Sequence, residues 1–105
     1  MRIVPVLFAG IGFLAAVTPP AQAALTVVHG RVVNLYADPS DFVIELDVAG
    51  ACGSKFFHIQ RNRANFKEVT AVSLTAISTG KTMTLFVESC AGDRNILSHG
   101  AVNAT

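Results

Sequence analysis

From Phe42 to Val48 the chain alternates, with Phe42, Ile44, Leu46 and Val48 separated by Val43, Glu45 and Asp47. Side chains of a strand point to opposite faces at period two, so this stretch reads as a strand with one buried face. Its neighbours extend the pattern. Leu25 to Tyr36 is rich in β-branched residues and carries Gly30 at its middle, which predicts a long first strand bent by a bulge. Ala37 to Asp41 is a turn, because Pro39 fixes φ and Asp38, Ser40 and Asp41 can bond nearby backbone. Ala49 to Ser54, with two glycines and Cys52, is a connector. Lys55 to Arg61 is then a third strand, with Phe57 and Ile59 on one face and Phe56, His58 and Gln60 on the other. Strands two and three are expected to form a hairpin.

Arg63 to Thr79 has β-branched residues that would suit a strand, but its spacing favours a helix. Phe66, Val69, Ser73, Ala76 and Ile77 fall on one stripe at period 3.6, and Asn65 followed three residues later by Glu68 resembles a capping box. Gly80 is placed to end the helix in the left-handed conformation. Alternation resumes from Lys81 to Ser89 with Met83, Leu85 and Val87 inward. Ala91 to Asn95 turns the chain, and Ile96 to Ala104 supplies the last strand.

The amino terminus points to export. Met1 and Arg2 precede an apolar run from Ile3 to Val17, and Ala21-Gln22-Ala23 offers the small residues that a signal peptidase reads. About 15 apolar residues ending at Pro19-Pro20 fall short of the roughly 20 that span a bilayer, so a cleaved signal, residues 1–23, is expected rather than an anchor. Subtracting 23 from 105 leaves 82 residues, 24–105, as one domain in the periplasm of a bacterium or secreted from it. Without Arg2 the 8 Lys+Arg become 7, matching the 7 Asp+Glu, so the mature part has no net charge. That argues against a nucleic-acid partner and against a polybasic membrane patch, both of which need clustered positive charge. In an oxidising compartment Cys52 and Cys90 are expected to pair as a disulfide.

The expected fold is mainly β with one helix, in the order β-β-β-α-β-β. Strand number, the long bent first strand and the helix between strands three and four match a five-stranded oligonucleotide/oligosaccharide-binding (OB) barrel. A small open α+β sheet with one helix on its face would show the same order. The chain also resembles the small exported OB-fold proteins that include the B subunits of subtilase-type AB5 toxins. Ser78-Thr79-Gly80-Lys81 closing a helix, the strand Met83 to Val87 and Cys90 just after it carry the resemblance, over about a third of the mature part. It implies an OB fold, a ring of five copies and glycan binding at a cell surface, and it carries over no sugar-contacting residue.

Three catalytic or ligating motifs fail on spacing. Ser78 to Thr82 looks like the end of a P-loop, yet Thr75 stands where the first glycine belongs, and the segment joins helix to strand rather than strand to helix. His29, His58 and His99 form no local pair with metal-ligand spacing. No Gly-x-Ser-x-Gly elbow brings Ser, His and Asp together. An enzyme, a cofactor and a metal are therefore not expected.

The positive signal is a surface. OB barrels bind ligands on the face of strands two and three, bordered by the loop after strand one and the loop between strands four and five. Here that surface comprises Tyr36, Asp38 and Asp41, then Lys55, Phe56, His58 and Gln60, then Asp93, Arg94 and Asn95. Tyr36, Phe56, His58 and Arg94 are the expected ligand-binding residues, because an aromatic ring beside hydrogen-bonding side chains suits a glycan or another small exterior ligand. The bland reading makes Phe56 a cover for the barrel end and the charges mere solvation. Two function classes follow. One is a binding module, with a homo-oligomer as the expected assembly, and the other is an accessory envelope protein acting through strand-edge pairing.

Overall fold

The computed structural model describes residues 25–105, so the expected signal, residues 1–23, lies outside the described residues. The elements are β1 (Thr26–Ala37), β2 (Asp41–Leu46), β3 (Phe56–Gln60), α1 (Phe66–Thr79), β4 (Thr82–Ala91) and β5 (Arg94–Val102), in the expected order. The five strands close into a barrel ordered β1-β2-β3-β5-β4. This is the OB-like arrangement, and its closure decides against the open sheet. Only the β3 to β5 junction is parallel. Among the described residues no helix is long and apolar enough to cross a membrane.

Closure depends on the length of β1. Its first half, Thr26 to Arg31, pairs with β4, and its second half, Val32 to Ala37, pairs with β2. The register irregularity falls between Val32 and Asn34, not at Gly30 as the sequence suggested. Gly30 answers a different need, close approach: a Cβ there would lie 2.9 Å from Asp47 Oδ1 and 3.0 Å from Val48 Cγ2.

Inside the barrel Ile44, Leu46, Phe57, Ile59, Met83, Leu85 and Leu97 lose all exposure, and Val87 nearly all. In β2, β3 and β4 the strand parity is the expected one, with two corrections in β2. The strand ends at Leu46, so Val48 is exposed rather than inward, and Val43 is buried although it belongs to the outer face. Helix α1 buries Val69, Ser73 and Ala76, while Ile77, expected on that stripe, is exposed at the last turn. Its threonines fit a helix because Thr70, Thr75 and Thr79 each donate a hydroxyl proton to the carbonyl four residues earlier. The capping box does not form: the Asn65 side chain leaves the helix end and donates to the Ser98 carbonyl at 2.9 Å. Gly80 ends the helix at φ 71°, in the left-handed region, and the Arg31 guanidinium donates to its carbonyl.

Cys52 and Cys90 form the expected disulfide, which ties the β2–β3 connector to the end of β4 with a Cα separation of 5.5 Å.

Candidate functional site

The register of β1, β2 and β3 sets two rows of side chains on the outer face. Tyr36 lies beside Val43, and Val43 beside His58; in the next row Asn34 lies beside Glu45, and Glu45 beside Phe56. Because Phe57 and Ile59 fill the barrel, period two sends Phe56 and His58 outward. The two turns at this end of the barrel add Asp38, Asp93 and the neighbouring Arg94. Together with Tyr36, Val43, Ser54, Phe56 and His58 they line a cavity of about 330 Å³. All four expected residues, Tyr36, Phe56, His58 and Arg94, are thus brought to one place.

The Tyr36 and Phe56 rings meet edge to face, with centroids 6.0 Å apart, and each remains about 40% exposed. The Tyr36 hydroxyl donates to Glu45 Oε1 at 2.8 Å, and the Asn34 amide donates to the same oxygen at 3.0 Å. Asn34 first, then Tyr36, holds the Glu45 carboxyl below its usual range. The hydrogen bond to Glu45, reinforced by its negative charge, pushes the Tyr36 phenol up. On the other side of the cavity, His58 and Asp41 are both buried, with His58 Nδ1 3.0 Å from Asp41 Oδ2. Arg94 reaches the same carboxylate oxygen at 3.5 Å while half its side chain stays exposed.

Several residues expected on the ligand surface lie elsewhere. Asp41 is buried behind His58, and Lys55 and Gln60 are exposed but outside the cavity lining. Asn95 differs most. Expected on an outer loop, it has no exposure, and its side chain knits the connector to the barrel. Its Oδ1 accepts from the Cys52 backbone at 3.1 Å, and its Nδ2 donates to the carbonyls of Ser54 and Phe56, each at 2.9 Å. The Asn95 amide and the disulfide therefore hold the segment that delivers Ser54 and Phe56 to the cavity. Gly50 makes room for it, since a Cβ there would come within 2.4 Å of Asn95 Oδ1. In the sequence, Asn95 follows Gly92-Asp93 and looks like ordinary turn chemistry, so no local signal marks it.

The three histidines go to three separate places. His29 bonds Thr84, His58 bonds Asp41, and His99 stacks on Phe86 with centroids 4.1 Å apart. Among the described residues no group of three or more His, Cys, Asp or Glu side chains is gathered for a metal ion. What the cavity offers is a partly apolar wall, fixed hydrogen-bonding groups and the half-exposed Arg94 guanidinium, anchored on Asp41, a combination suited to holding a small polar ligand. Compared with known proteins, the chain matches no family model, no curated protein and no solved structure.

Proposed function

We propose that the protein is a non-catalytic binding module that works outside the cytoplasm, in the periplasm or after secretion, and takes a glycan or similar small ligand in this cavity. One observation carries the reading: two exposed aromatic rings, from β1 and β3, converge with His58 and Arg94 on a single cavity of about 330 Å³. Exposed aromatic faces beside fixed polar groups recognise ligands that have an apolar face and a hydroxylated edge. The disulfide supports an oxidising location. Barrel closure gives each strand two neighbours, as an open sheet does not, which favours the cavity over the accessory reading. Assembly into an oligomer belongs to the same proposal, and native mass spectrometry reads it directly.

Paired mutants on one strand test the site. Phe57→Ala empties the barrel and is expected to cost about 3 to 5 kcal/mol, whereas Phe56→Ala removes an outward ring and is expected to leave the fold intact. On a glycan array wild type is expected to bind and Phe56→Ala to lose binding. A wild type that binds nothing, or a Phe56→Ala protein that unfolds as readily as Phe57→Ala, overturns the proposal.

A further inference from the structure

We infer that the cavity selects a neutral polyhydroxyl ligand, and that His58 reads one ligand hydroxyl through Nε2 acting as a hydrogen-bond acceptor. This rests on the cavity being a binding site and adds what kind of ligand the site takes.

Asp41 sets the His58 tautomer. Its Oδ2 faces both His58 Nδ1 and the Arg94 guanidinium. A carboxylate beside a guanidinium has no proton to give, so His58 Nδ1 carries the ring proton and donates. In the neutral imidazole the second nitrogen is then a bare lone pair. Nε2 has no hydrogen-bond partner among the described residues, and its ring belongs to a residue that lines the cavity.

The other polar groups there lean the same way. The Tyr36 hydroxyl hydrogen is engaged in its hydrogen bond to Glu45, so toward a ligand its oxygen offers only lone pairs. Asp38 and Asp93 contribute carboxylates from opposite turns, and Ser54 spends its hydroxyl on the Phe56 backbone. Arg94 is the donor of the set. Acceptors therefore sit on separate segments around the cavity, facing one donor, and a ligand must bring several hydroxyls together with a C–H face for Tyr36 and Phe56. An anion meets more carboxylates than cations, which disfavours it. A lone ammonium meets Arg94 and supplies donors at only one point. A pyranose satisfies all of these demands.

The test uses the full mature chain labelled with 15N, at about pH 8. The probes are methyl glycosides of glucose, galactose, mannose and N-acetylglucosamine, methyl sialoside as the anion and choline as the cation. In free protein the His58 ring nitrogens are expected to show Nδ1 protonated and Nε2 bare. At least one neutral glycoside is expected to shift the signals of Phe56 and His58, and neither sialoside nor choline is. His58→Gln keeps an acceptor oxygen and is expected to hold that glycoside within about threefold, while His58→Met, with no such acceptor, weakens it about tenfold or more. A proton on Nε2 in the wild type overturns the inference, as does equal glycoside affinity in a folded His58→Met protein. Sialoside or choline moving the cavity signals in place of the glycosides overturns it too, yet leaves the binding-site reading standing. If no probe moves any cavity signal, both fall together.

Discussion

Glu45 does for Tyr36 what Asp41 does for His58: a carboxylate on β2 fixes an aromatic side chain from a neighbouring strand. The consequence for Tyr36 is measurable. Glu45 accepts a hydrogen bond from the neutral phenol and repels the phenolate, so deprotonation is harder and the pKa is raised. Glu45→Gln is expected to bring the Tyr36 pKa down toward the usual phenol value, as followed by ultraviolet titration. An unchanged titration would mean that the pair does not form in solution. At this scale strand parity was readable, because Phe56 outward and Phe57 inward follow from period two alone. Asn95 was not readable, since an inward asparagine at the start of a strand is decided by which backbone groups the connector leaves unpaired beside it.

Among the elements, α1 was correctly read as a helix even though β-branched residues argue for a strand. The spacing of Val69, Ser73 and Ala76 matches the surface it covers, and the threonine hydroxyls are absorbed by its own carbonyls. The end of the helix was equally legible. Gly80 adopts φ 71°, so Gly80→Ala is expected to lower stability by roughly 1 kcal/mol, seen as a drop in melting temperature. The added methyl would meet only Arg31, at 3.7 Å, so backbone strain and not a clash sets the cost. The start of the helix differs from the capping box its sequence suggests, because the Asn65 amide turns to donate to the Ser98 carbonyl of β5. Likewise Gly30 suggests a bulge from the sequence, whereas the approach of Asp47 and Val48 requires it.

For the whole molecule, the disulfide ties the β2–β3 connector to the end of β4, beside the hydrogen bonds of Asn95. Joining residues 38 apart restricts the unfolded chain, and Cys52→Ser with Cys90→Ser is expected to cost roughly 4 kcal/mol in the chain-entropy model, read by chemical denaturation. Exported protein is expected to gain two hydrogens in intact mass on reduction. Two free thiols before reduction would contradict the pairing. Because Asn95 binds the same connector through three hydrogen bonds, the double mutant is expected to keep the barrel while loosening Ser54 and Phe56.

By itself the sequence determined the element order, the inward and outward faces of β3 and β4, the helix stop and the partner of each cysteine, because each follows from local periodicity, backbone preference or the chemistry of an oxidising compartment. Tertiary structure alone decided that the sheet closes, since closure depends on β1 being long enough to pair with β2 and β4 in turn. It also decided which turn residues face the cavity. Asp93 and Arg94 line it while Asn95 is buried, although all three adjoin one turn, because the Cys52 N–H and the Ser54 and Phe56 carbonyls converge on the Asn95 amide.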